Sequence, residues 1–165
     1  MINPAHWHLM LNHIPVVGSA FAFLLLGWAI FRRSEELKRV GLAMVALVAA
    51  MTVPAYLTGE PAFEAVMEIL EATPFDEDPL VAAHKSAAGI AFTAAAMAGL
   101  AALTGLIRSR GGKPLSKHVV MAVFVLTALT VGLMGRAANF GGAIRHAEIR
   151  GEAAPPEGSE NGTRR

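Results

Sequence analysis

A chain of 165 residues has room for one domain, and with 54% hydrophobic residues and a mean hydropathy of +0.48 it is too apolar for a soluble one. Its net charge of +1 comes from charges set in short blocks between long stretches that carry almost none, a distribution that suits lipid and excludes a nucleic-acid partner. The absence of cysteine excludes disulfides, thiolate metal sites, iron–sulfur clusters and covalently attached haem, so any metal must rest on His, carboxylate, Met or backbone oxygen.

The first twelve residues hold no basic residue and no small-x-small cleavage site follows, so the first apolar run, Ile14 to Phe31, is expected to be a retained helix and not a signal peptide. Three more runs follow: Val40 to Thr58, Leu80 to Ile107 and Val119 to Gly135. Each approaches or exceeds the roughly 20 residues that cross a hydrocarbon core. In lipid such segments must be helical, because each has to satisfy its own backbone polar groups. The predicted fold is therefore all-α, a four-helix transmembrane bundle over residues 1–150.

Pro54 predicts a bend near the end of the second helix. The third run would be about 42 Å long at 1.5 Å per residue, so its first turn, with His84 and Lys85, is expected at the interface. Ala91, Ala95 and Gly99 recur every four residues, a small face that either lets helices approach closely or leaves room for a flat group. Beyond Gly151, the composition around Pro155, Pro156, Gly158, Ser159 and Asn161 predicts a disordered polar tail over 151–165.

The connections set orientation. Arg32, Arg33, Lys38 and Arg39 lie between helices one and two, and Arg108, Arg110, Lys113 and Lys117 between three and four. Short basic loops stay in the cytoplasm, which predicts a bacterial inner-membrane protein with both termini periplasmic. The remaining connection, Gly59 to Pro79, has seven acidic and no basic residues and belongs outside. Within it Glu60, Glu64, Glu68 and Glu71 oppose Phe63, Val66, Met67 and Leu70, predicting a short amphipathic outer helix with a solvated acidic face.

That topology gathers five of the six histidines at the outer face: His6, His8, His13, His84 and His146, with His118 inside. Imidazole is the commonest metal ligand, and ionisable groups near a membrane point to function. His6 and His8 flank Trp7, where amphipathic rings sit at the interface without a ligand. His13 and His84 enter the membrane at one level from separate helices, and Gly141 and Gly142 permit a turn that brings His146 back over the bundle. His8 and His13, five apart, subtend about 140° on a helical wheel, so a continuous helix cannot aim both inward. Arg136 stands at the same level, suited either to snorkelling or to a haem propionate.

The segments His8 to Pro15 (HLMLNHIP), Thr58 to Ala62 (TGEPA) and Gly141 to Ile149 (GGAIRHAEI), with the four hydrophobic helices, resemble a bacterial family of small integral-membrane proteins of unknown function. The resemblance runs from about Asn3 to Arg150, with Phe63 and Ala147 standing where the family form has Glu and Pro. Some relatives are joined to a Rieske iron–sulfur domain. This implies redox company, and as partners a periplasmic redox protein or other membrane subunits beside the lipid bilayer.

Three functions fit. One is electron transfer through a b-type haem with His13 and His84 as axial ligands and Arg136 at a propionate. The second is a transition-metal site drawn from His8, His13, His84 and His146, with Glu60 or Glu148 as further candidates. The third is a cofactor-free subunit of a membrane complex. No nucleophile beside a base and no phosphate-cradling loop appears, so hydrolase and nucleotide-driven transport readings have no support. No catalytic residue is assigned.

Overall fold

The computed structural model describes residues 3–70 and 79–145. The expected polar tail, His146 and Glu148 lie outside these residues. Among the described residues five helices form: α1 (Pro4–Phe31), α2 (Glu35–Leu57), α3 (Gly59–Leu70), α4 (Pro79–Arg108) and α5 (Lys117–Arg145). All but α3 are long and apolar enough to cross a membrane, and they make an antiparallel bundle with α3 as the short extra helix. The chain is a multi-pass membrane protein, and large apolar side chains such as Phe21, Leu24, Leu47, Leu100 and Leu129 point outward into lipid.

Local sequence explains the boundaries. Asn3 caps α1, its side chain accepting from the Ala5 amide at 2.8 Å, and Pro4 occupies the first turn, where no N–H is needed. Ser34 caps α2 through the Leu37 amide at 3.2 Å. At the other end, α2 stops just after Pro54, where the Thr58 hydroxyl donates to the Pro54 carbonyl at 2.9 Å and the chain turns into α3. Helix α1 runs unbroken through Asn12 and Pro15, beginning ten residues before the apolar run from Ile14. The turn expected at Gly141 and Gly142 does not form, for α5 continues to Arg145.

The buried positions repeat at steps of three and four, the seam spacing of helices packed knobs into holes. On α1 they are Pro15, Ser19, Ala22, Leu26 and Ala29; on α4 they include Ala87, Ala91, Ala95, Ala98, Ala102 and Gly105. Small residues dominate because the backbones come close. A Cβ on Gly18 would stand 2.9 Å from Val48 Cγ2, and a Cβ on Gly99 would collide with Ala49. The Ala91, Ala95 and Gly99 face is thus filled by neighbouring helices, with Ala91 and Ala95 clustered with Met134, Val16 and Leu133.

Around the bundle, α1 packs on α2 and α5, and α4 packs on the same two, so α1 and α4 stand diagonally opposite. Helix α3 lies mainly against α1. Ala62 is buried, while Glu60 and Glu64 are exposed. The Lys85 ammonium binds Glu60 at 3.2 Å and sits 4.5 Å from the Phe63 ring centroid, tying α3 to the start of α4.

The two basic connections meet at one end, the basic end. Arg39 donates to the Ser109 carbonyl at 3.2 Å, to the Ser109 hydroxyl at 2.8 Å and to the Lys113 carbonyl at 2.6 Å. Glu35 accepts from the Leu115 amide at 3.2 Å and from Lys38 at 2.8 Å. Gly111 and Gly112, at φ of +73° and +79°, supply the left-handed turn that this crossing needs. The opposite end, where α1 and α4 begin and α2 and α5 finish, is the histidine end.

Candidate functional site

Extending the buried stripe of α1 backward from Pro15 by three and then four residues gives Asn12 and His8. Because α1 is continuous, His8 takes the inward position and His13 does not. His13 is exposed, and its Nδ1 donates to the Leu9 carbonyl of its own helix at 2.8 Å. On α4, His84 falls three residues before Ala87 on the same stripe. The two imidazoles therefore come from diagonal helices at the same end of the bundle.

Each imidazole is held by a neighbouring helix. His8 Nδ1 lies 3.1 Å from the Ala55 carbonyl and 3.2 Å from the Thr58 hydroxyl, at the end of α2. The Thr58 hydroxyl points its own proton at the Pro54 and Ala55 carbonyls, at 2.9 and 3.0 Å. His84 Nδ1 lies 2.9 Å from the Ala137 carbonyl of α5. A carbonyl accepts and cannot donate, so these contacts assign the ring proton to Nδ1 in both residues and leave the Nε2 lone pairs without a hydrogen-bond partner among the described residues. Metal-binding imidazoles are oriented in this way, through the other ring nitrogen on a carbonyl.

Glycine makes the space for both rings. A Cβ on Gly59 would lie 3.6 Å from His8 Cε1, and one on Gly141 would lie 3.1 Å from His84 Cε1 and 3.3 Å from its Nδ1. Gly141 thus serves close approach to His84 within an unbroken helix, which is why no turn is needed there.

One turn deeper on α1, the side-chain oxygen of Asn12 is buried and has no hydrogen-bond partner among the described residues. Thr52, the hydroxyl on the buried stripe of α2, already donates to the Val48 carbonyl at 2.8 Å. An unmet buried acceptor costs about 1–3 kcal/mol, which makes this amide an oddity beside two oriented imidazoles.

The remaining candidates are placed as follows. His6 is exposed, and His118 is exposed at the basic end. Arg136 is exposed on α5 with its guanidinium 5.6 Å from the Phe140 ring centroid. Glu60 is committed to Lys85. The structure places His8 and His84 on the inward stripes of α1 and α4 at the same end of the bundle and leaves His13 and Arg136 exposed. Among the described residues no three His, Asp or Glu side chains gather as a metal site. The weight given to His13 over His8 missed the stripe: counted back from Ala22 and Ser19, it selects His8. Asn12, Gly59 and the carbonyls of Ala55 and Ala137 leave no signature of their own until the helices are registered.

No family model matches the chain, and no curated protein or solved structure is detectably similar to it.

Proposed function

We propose that this is a transition-metal-binding membrane protein that holds its metal between His8 and His84 and serves in redox or metal handling. The observation that carries the reading is that both imidazoles stand on the inward stripes of diagonal helices with Nδ1 committed to a backbone carbonyl of a neighbouring helix, supporting ligation through Nε2. Helix neighbours spaced 8–10 Å apart put diagonal axes about 11–14 Å apart, a span that two inward imidazoles bridge around a single ion. Filling of the small face beneath them by Val16, Leu133 and Met134 favours an ion over a flat macrocycle at that depth.

The basic loops support a periplasm-facing site in a bacterial inner membrane. The resemblance to a family with Rieske-linked members favours redox use, with a periplasmic redox protein or a membrane subunit as partner.

A second reading, one b-type haem with electron transfer as the function, is favoured by one specific observation. Among the described residues two imidazoles stand on inward stripes at the histidine end and no three His, Asp or Glu side chains gather, while an iron with four porphyrin nitrogens needs two axial ligands. Elemental analysis and a reduced-minus-oxidised spectrum of protein taken gently from membranes separate the two. The proposal expects near-stoichiometric metal without haem bands, lost in His8→Ala and His84→Ala and kept in His13→Ala and His118→Ala. Haem bands lost in the same two variants would replace the ion with haem. Neither metal nor haem in the wild type would leave a cofactor-free subunit.

A further inference from the structure

We infer that Asn12 is the oxygen ligand of the His8–His84 site, presenting its side-chain carbonyl to a divalent first-row metal ion. This rests on the reading that the two imidazoles hold a metal ion. Three observations converge. Asn12 follows His8 by one helical turn on the stripe that α1 turns into the bundle, so both side chains enter the same interior. Its Oδ1 is buried with no partner among the described residues, although nearly all buried polar atoms in folded proteins are bonded. The corresponding turn of α4 carries Ala87 and Ala88, whose side chains supply no donor.

A lone pair without a donor in a membrane interior is expensive in the empty protein and becomes favourable once a cation lies before it. Two neutral imidazoles and an amide oxygen make a set of intermediate hardness, with a further coordination position left to water or a partner. Such a set suits Zn2+, Ni2+, Cu2+ or Fe2+. It disfavours Cu+, which prefers thiolate and thioether ligands.

The test titrates the full-length chain in detergent with Zn2+, and separately with Cu+, comparing wild type with Asn12→Leu, Asn12→Asp and the double variant His8→Ala, His84→Ala. The expected result is one Zn2+ per chain in the wild type, at least tenfold weaker binding in Asn12→Leu and at least tenfold tighter binding in Asn12→Asp, whose oxygen ligand carries a charge. Metal-free Asn12→Leu should melt no lower than wild type, since the orphaned oxygen is gone. If Asn12→Leu does not fold, Asn12→Asp carries the test alone. Zn2+ affinity unchanged in Asn12→Asp and Asn12→Leu, but lost in the double histidine variant, overturns the role of Asn12 and leaves the imidazole site standing. Absence of Zn2+ binding in the wild type, or binding that survives in the double variant, overturns the site itself. Cu+ bound more tightly than Zn2+ overturns the oxygen-ligand assignment.

Discussion

Gly141→Ala tests how tightly the site is built without touching a ligand. The added Cβ would stand 3.1 Å from His84 Cε1 and 3.3 Å from its Nδ1. Carbon contacts settle near 3.5–4.0 Å, so the ring must move by about half an ångström. The bond it pivots on, Nδ1 to the Ala137 carbonyl, is 2.9 Å long and would pass the ~3.2 Å limit of a good N–H to O bond. If the ring yields, the lost bond costs about 0.5–1.5 kcal/mol. If it does not, overpacking costs about 1–3 kcal/mol. Disturbing the carbonyl that orients a liganding imidazole typically weakens metal binding about 10–100-fold. The assay pairs melting temperature in detergent with Zn2+ titration. Gly132→Ala and Gly135→Ala, whose Cβ atoms would meet nothing within 4 Å, report the gain in helix propensity on the same helix. Gly141→Ala melting and binding metal like these two controls would refute the account of the cradle.

Ala95→Leu, placed where the native side chain is 3% exposed, should lower stability by about 1–3 kcal/mol, read as a fall in melting temperature in detergent. Arg39→Ala removes three hydrogen bonds to Ser109 and Lys113 and should cost about 2–3 kcal/mol by the same measurement, with Arg39→Lys recovering part of it. A periplasm-active reporter fused after Arg150 should be active and one fused after Gly112 silent, and activity at the second position would reverse the orientation.

The four spans and the amphipathic α3 were readable because length, apolarity and periodicity act locally, and a lipid solvent leaves helices as the available answer. The helix ends were less so. Helix α1 starts at Pro4 and α5 extends to Arg145, since Asn3 capping and the seating of Gly141 on His84 extend each helix past its apolar run. What the sequence made legible of the candidate site is that imidazoles gather at one end, where the structure keeps His8 and His84 on inward stripes. His84 stood out by its position at a helix start. His8 was discounted as an interfacial neighbour of Trp7, although the 140° between His8 and His13 required a choice that the small residues Ser19, Ala22 and Ala29 could decide. Asn12 could not be singled out, because its significance lies in a missing partner, and partners are known only once four helices are in register.

The fork of Arg39 has a temporal side. Its acceptor Ser109 lies 70 residues further along the chain. At 5–20 residues per second of synthesis, the guanidinium therefore emerges roughly 4 to 14 s before its partner exists. During that interval the α1–α2 hairpin sits in the bilayer with the arginine facing water and lipid phosphate, unattached to any protein carbonyl. The basic end can close through these bonds only once the second loop has been made. A nascent chain halted before Ser109 therefore lacks all three hydrogen bonds that Arg39 makes in the finished bundle.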